Sequence, residues 1–307
     1  MEKEQSLYQL IKNSVTEDGM LPPSFSLPEK EGEKVKFAAG AQDGILIYHM
    51  GISPLGEEDI AELDRLLMLA VEEKTEEAER GFAAFCEKHR AAKIIDDLQQ
   101  RIMEQEEELP ADRMFEFAES MMLHSADAEC VKIGMSILEL FRTFDNEELA
   151  EAIRTMGLSD EFTLFSVFLV RRWPDGEEEV LELAKKVRGW GRIHCVCFIE
   201  PESDEIKDWL FENGVDNDVV PAYSAYKVFN KAEVAARLDK EDLTKEEMGC
   251  ILKIVDALLD EGPVRGISNL DEPEAFLAKV AEKAQSFTLD TEELRILEAV
   301  KEWKEED

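Results

Sequence analysis

The chain has 307 residues, 44% of them hydrophobic, and its 35 basic and 71 acidic residues give a formal net charge of −36. The apolar content is enough for a substantial core, which excludes a disordered chain, and the negative charge argues against nucleic-acid binding because it repels phosphate backbones. No apolar run of about eighteen residues could span a bilayer, and the first residues lack a secretion signal, so we expect no membrane association and a cytoplasmic location.

Residues 1–55 are predicted to form a non-repeating N-terminal cap or arm. After a short helix and three prolines come two extended runs, VKFAA and ILIYHM, joined through an Asp43-Gly44 turn signal. A small hairpin that hides the open end of a helical array is the expected structure. The alternative is that Asp43, Tyr48 and His49 contribute to a pocket against the first helices.

Residues 56–307 are predicted to be almost entirely helical. In EEDIAELDRLLMLAVEE, apolar residues recur at three- and four-residue steps, which places them on one face of a helix. Thr244 and Glu247 have the spacing of a capping box at a helix start. Gly157, Gly189 and Gly214 each stand just past an apolar-periodic segment, where a left-handed residue ends a helix.

A repeat is visible between residues 146 and 259. Amphipathic segments recur as NEELAEAIRTMG, EEEVLELAKKVRG, SDEIKDWLFENG and KAEVAARLDKED. A more hydrophobic segment follows each of them, namely EFTLFSVFLVRRW, WGRIHCVCFIE, DVVPAYSAYKVF and EEMGCILKIVDALL. A period of roughly 26 to 31 residues indicates stacked helical hairpins, each of which needs neighbours to cover its apolar face.

This pattern resembles the HEAT and armadillo class of α-solenoids. The resemblance implies an all-α, right-handed α-solenoid of stacked helical hairpins over residues 56–307, behind the small N-terminal segment. Proteins of the class mostly bind other proteins along a concave face. HEAT-like DNA glycosylases are similar in fold, but they work from a basic groove, which the net charge contradicts.

The resemblance favours a protein-interaction or scaffolding module with unidentified protein partners, without a cofactor and without enzymatic activity. One alternative is an enzyme or small-ligand-binding protein, with a pocket near helix 187–198 and the N-terminal arm. A second is that the acidic surface imitates DNA to occupy a basic partner.

The segment VRGWGRIHCVCFIE, residues 187–200, holds most of the candidate site residues. The glycines flanking Trp190 at a helix start leave backbone amides that, with Arg192, would suit a phosphate or a carboxylate. A tight turn in which Arg192 pairs with a neighbouring acid is the structural alternative. Lys185 and Arg188 make this region the leading candidate to receive an anionic group or an acidic partner.

A metal site and a catalytic site are not predicted in this segment. Cys195 and Cys197 lie about 200° apart on a helix, so they cannot share one ion. His194 is expected to be a hydrogen-bonded core histidine. The candidate binding residues are therefore Lys185, Arg188, Gly189, Trp190, Gly191, Arg192 and His194, with Asp43, Tyr48 and His49 as secondary candidates.

Overall fold

The computed structural model describes residues 5–28, 36–51 and 53–303. Within these ranges the regular structure is entirely helical, with no strand, which confirms the all-α class. The chain divides into two compact units, Met1–Cys195 and Val196–Asp307.

The first unit contains ten complete α-helices among its described residues. They are α1 (Leu7–Ser14), α2 (Ala41–Ile45), α3 (Glu57–Val71), α4 (Thr75–Lys88), α5 (Ala91–Glu104), α6 (Ala111–His124), α7 (Ala128–Leu138), α8 (Glu147–Gly157), α9 (Asp160–Val170) and α10 (Gly176–Lys186). A single π-helical turn, Leu46–Met50, directly follows α2. Helix α11 (Gly189–Phe198) begins in this unit and ends with the first residues of the second.

The described part of the second unit continues with six further helices. They are α12 (Asp204–Asn213), α13 (Ala222–Lys231), α14 (Val234–Leu238), α15 (Lys245–Leu259), α16 (Pro273–Ala284) and α17 (Thr291–Glu302). Capping boxes start two of them: Thr244 and Glu247 bond reciprocally before α15, as the sequence predicts, and Asp290 and Glu293 do so before α17. These contacts satisfy backbone amides that a helix start otherwise leaves unpaired.

Helix α7 lies at the centre of the first unit. It packs against α4, α5, α6 and α9, and every residue from Glu129 to Leu138 is buried. A helix covered on all sides normally carries only apolar or small side chains. The buried Glu129 and Lys132 in α7 therefore require partners inside the protein.

Helix α15 has the corresponding position in the second unit. Its neighbours include α13 and α17. Helices α12 and α13, α14 and α15, and α16 and α17 also pack in consecutive pairs. Helix α15 thus contacts both α13 and α17.

The hairpin predicted at residues 35–50 is wrong where the structure describes it. Residues 41–50 are helical, and residues 36–38 have no regular structure; residue 35 lies outside the described ranges. Gly40, with φ of 73°, precedes α2 as its N-cap, so the chain enters a helix where the Asp43-Gly44 turn was expected. Residues 36–51 belong to the first compact unit.

Of the three glycines predicted to end a helix in a left-handed conformation, only Gly189 is left-handed, with φ of 55°, and it is the first residue of α11, whereas α10 ends before an extended C-cap at Val187. Gly157 is the last residue of α8 and has no positive φ, so the prediction is wrong there. Gly214 has φ of −65°, so the prediction is wrong there. Its lack of a side chain serves close packing instead, because a Cβ would lie 2.5 Å from the carbonyl oxygen of Leu210 and 2.5 Å from Cγ2 of Val228.

Candidate functional site

Residues 36–51 dock on the start of α9 and on α11. The backbone N–H of Gly40 donates to Oε2 of Glu161 at 2.9 Å. At Gly44, an added Cβ would lie 2.4 Å from Cζ3 of Trp190, so only glycine allows this approach. The structure thereby brings Asp43 and Tyr48 from the N-terminal arm next to Trp190 and His194, all four of which are sequence candidates.

The ammonium group of Lys132 lies among three carboxylates that come from distant parts of the chain. Its Nζ is 2.6 Å from Oδ2 of Asp43, 3.0 Å from Oε1 of Glu129 and 2.5 Å from Oε1 of Glu161. The side chain of Lys132 is 0% exposed. An ammonium has three N–H donors, so these carboxylates use its full donor capacity.

Arg90, the N-cap residue of α5, is the second cation of this cluster. Its Nε donates to Oδ1 of Asp43 at 3.0 Å, and its Nη2 lies 2.8 Å from Oε1 of Glu129. Its Nη1 also donates to the side-chain oxygen of Gln42. Two cations therefore face three carboxylates, and we call Asp43, Arg90, Glu129, Lys132 and Glu161 the ionic cluster.

The ionic cluster holds Asp43 and Lys132 in their charged forms. Burial by itself would raise the pKa of Asp43, but Lys132 and Arg90 outweigh burial and hold that pKa below its usual value. Burial would lower the pKa of Lys132, and the three carboxylates outweigh it and raise that pKa. Each ion is thus stable in the interior only because the others are present.

The ring of His194 lies beside the cluster and is 0% exposed. Nε2 is 3.3 Å from the carbonyl oxygen of Gly40, and Nδ1 is 2.9 Å from the hydroxyl oxygen of Tyr48. A carbonyl oxygen can only accept, so Nε2 carries the proton and Nδ1 accepts from the hydroxyl of Tyr48. Burial lowers the pKa of His194 to about 4, and the ring is neutral at pH 7.

The amides at the start of α11 already hold a carboxylate. Asp160 accepts hydrogen bonds from the backbone N–H groups of Trp190 and Gly191. Burial raises the pKa of Asp160 to about 7, although these two hydrogen bonds act in the opposite direction. The sequence predicts a phosphate or carboxylate at these amides, and in the structure the chain supplies the carboxylate itself.

The basic candidates of this region have local roles in the structure. Arg192 donates from Nε to the carbonyl oxygens of Ala184 and Val187, both at 3.1 Å, and so covers the end of α10. Lys185 pairs with Glu182 at 2.7 Å, and Arg188 is exposed. His49 is half-buried within the π-helical turn.

Three carboxylates of the cluster have a spacing that could hold a metal ion. Oxygen atoms of Asp43, Glu129 and Glu161 lie within 4.8 Å of one another. Lys132 Nζ bonds to all three carboxylates, so the ammonium supplies the positive charge that a metal would otherwise bring. In α11, Cys195 is buried and Cys197 is half-buried.

The ionic cluster is a structural ion-pair network in the interior of the first unit. Lys132 and His194 have no contact with solvent, and the charges are paired within the protein. A buried ion set of this kind fixes the position of residues 36–51 against α7, α9 and α11, because moving Asp43 away would leave a buried cation short of a partner.

An open groove of about 540 Å³ lies in the second unit, between the start of α13, one face of α15 and the start of α17. Apolar atoms supply most of its surface, with Val215, Ala222, Ala257 and Ile296 among its lining residues. Its volume falls within the range of about 300 to 1,000 Å³ that is common for binding clefts. A smaller cavity of about 170 Å³ lies in the first unit, where Arg154 is already paired with Glu179 at 2.7 Å.

The rim of the groove is acidic. Its lining contains five carboxylates and one cation, Lys253; the carboxylates are Asp256, Asp260, Asp290, Glu292 and Glu293. Arg295 pairs with Asp256 and Glu292, and Lys245 pairs with Glu293. Asp260 and Asp290 are exposed, and among the described residues neither has a cation within ion-pair distance. The groove thus combines two carboxylates that have no ion-pair partner among the described residues with an apolar part of its lining, which we call the floor.

Sequence reasoning missed Lys132, Glu129, Glu161, Arg90 and Asp160. One signal was present: Lys132 is the only charged residue in the apolar run CVKIGMSIL, and an acid precedes it by three residues. A charge on a helix that is apolar all round predicts a buried ion pair. The other partners come from distant segments, so spacing could not identify them.

No protein-family model, curated protein or solved structure matches the chain. Among the described residues, the helices are too short or too polar to cross a membrane.

Proposed function

We propose that the protein is a protein-interaction module, built as a right-handed α-solenoid of the HEAT and armadillo kind. The observation that carries the proposal is the open groove lined by residues of α13, α15 and α17, three helices that are in contact in sequence order. In a stack of helical hairpins, the layer of equivalent helices forms an extended surface for binding partners. The groove lies along one stripe of α15, which includes Gly249, Lys253 and Ala257.

The alternative function, an enzyme or ligand-binding protein with a pocket beside residues 187–198, receives less support. A reacting or binding group must be reached by a substrate. His194 is 0% exposed, Trp190 is 5% exposed, and the amides of Trp190 and Gly191 already bond to Asp160. The imidazole of His194 and the amides at the start of α11 are thus satisfied by the chain itself.

A groove-filling substitution tests the proposal. Gly249 lines the groove, and an added Cβ would meet only Oε1 of Glu293 at 3.2 Å, the end of a flexible side chain. Gly249→Gln therefore fills the groove while improving the helix propensity of α15. Gly262→Gln is the matched control, because it lies outside the groove lining and an added Cβ there meets nothing within 4 Å.

The measurement is quantitative affinity purification from an extract of the cells that make the protein, with the wild-type chain and both variants. We expect one or a few proteins to bind the wild type and Gly262→Gln equally and to be lost from Gly249→Gln. Proteins that bind all three chains alike would refute the groove as the interaction surface, and an extract that yields no enriched protein would refute the interaction role.

A further inference from the structure

The chemistry of the groove in the second unit specifies one kind of occupant. We propose that it binds a short basic segment of a partner protein, in which an apolar side chain lies between Lys or Arg residues. This inference rests on the proposed function, because it names the partner of the same groove.

The charge of the rim determines which charge the bound segment of the partner carries. Five carboxylates and one lysine line the groove, and two of the carboxylates, Asp260 and Asp290, have no cation partner among the described residues. Arg295 and Lys245 pair with Asp256, Glu292 and Glu293, so the charge that remains for a partner is that of Asp260 and Asp290, in a unit that has 29 acidic and 13 basic residues. A cationic side chain gains attraction here, whereas an anionic one is repelled.

The apolar floor of the groove determines that the bound segment also carries an apolar side chain. Val215, Ala222, Ala257 and Ile296 contribute apolar atoms to the same lining as the carboxylates of α15 and α17. A purely ionic ligand would leave this surface in contact with water. An apolar side chain that covers the floor gains hydrophobic stabilisation, while flanking cations reach the rim.

The size of the groove limits the length of the segment. A volume of about 540 Å³ accommodates a few side chains, not a folded domain. The occupant is thus a short extended or helical segment, for which the rim charges set both orientation and association rate.

A pair of substitutions removes the rim charge without damaging the fold. Asp260→Lys acts at an exposed position, and Asp290→Asn keeps a side-chain oxygen that caps α17 at the amide of Glu293. The control double variant is Asp242→Lys with Asp271→Asn, two exposed acids of the same unit that are not part of the groove lining. Both double variants change the net charge by the same amount.

The experiment uses three synthetic peptide pools of equal length with randomised neutral flanks. One has the core Arg-Leu-Leu-Lys, one has Arg-Ser-Ser-Lys, and one has Glu-Leu-Leu-Glu. Binding of each fluorescent pool to the full chain is measured by anisotropy at two salt concentrations. Circular dichroism checks that all variants are folded.

We expect the Arg-Leu-Leu-Lys pool to bind most tightly, with an affinity that falls as salt rises. Asp260→Lys with Asp290→Asn should weaken this binding about tenfold, and the control should leave it within about twofold. Equal binding of the Glu-Leu-Leu-Glu pool or the Arg-Ser-Ser-Lys pool, or equal loss in the control, would overturn the inference. These results concern only the chemistry of the bound segment. If affinity purification still finds proteins that bind the wild type and are lost from Gly249→Gln, the proposed interaction role remains supported.

Discussion

Replacing Lys132 with Met removes the central cation of the ionic cluster and keeps an unbranched side chain of similar length. At pH 7, the variant leaves the carboxylates of Asp43, Glu129 and Glu161 in the interior with Arg90 as their only cation. Because the volume is nearly conserved, the effect reports on charge and not on a cavity.

The magnitude follows from the three contacts that are lost. Lys132 Nζ bonds to the carboxylates at 2.6, 3.0 and 2.5 Å, and hydrogen bonds to charged groups are worth about 1.5 to 3 kcal/mol each. The variant no longer has to desolvate an ammonium, which offsets part of this sum. Breaking a buried ion set by removing one member costs about 3 to 5 kcal/mol, and we expect a loss of that size.

The free energy of unfolding is measured by urea titration, followed by tryptophan fluorescence, at pH 7 and pH 5. Without its cation, a buried carboxyl has a raised pKa, so acid protonates it and the loss should be smaller at pH 5. Lys88→Met is the control, because that side chain is 68% exposed and its pair with Asp59 should contribute less than about 1 kcal/mol. A loss below about 1 kcal/mol for Lys132→Met, or an equal loss at both pH values, would refute the account of the cluster.

Three further predictions concern the residues that hold the N-terminal segment. Trp190→Ala should lower the free energy of unfolding by about 3 to 5 kcal/mol in urea titration, because a large buried ring is lost; a stable variant would mean that the ring is exposed. Gly44→Ala should lower the thermal midpoint, because its Cβ would overlap the ring of Trp190, whereas Gly56→Ala, with nothing within 4 Å, should not; equal midpoints would contradict the docking of α2. In a pH titration by NMR, His194 should stay neutral down to about pH 4. Since its folded pKa is below the unfolded value of about 6.5, stability on the order of 3 kcal/mol should be lost as pH falls from 6.5 to 4, and a ring that titrates near 6.5 would disprove its burial.

Helices were predictable wherever one face of a segment is apolar. The periodic segments NEELAEAIRTMG and SDEIKDWLFENG contain α8 and α12, because burial of an apolar stripe decides their structure locally. The capping box of Thr244 is likewise a local feature, in which all interacting atoms lie within four residues.

The run ILIYHM shows where local reasoning fails. Its β-branched and aromatic residues favour a strand, yet it forms a helical turn because tertiary contacts override weak propensity. Asp43 forms ion pairs with Lys132 and Arg90, and Tyr48 forms a hydrogen bond with His194. The conformation of the segment therefore depends on residues far along the chain. The ionic cluster could not be predicted from the sequence for the same reason.

The partners Asp43 and Lys132 are 89 residues apart, which has a kinetic consequence. Contacts that close so long a loop form late during folding, since the chain must first lose the entropy of closure. Until then, Lys132 on α7 has only Glu129 and Glu161 as partners, and the helices around it cannot close over it without desolvating an incompletely paired charge. Arrival of the N-terminal segment and final compaction of the first unit are therefore expected to be a single concerted step.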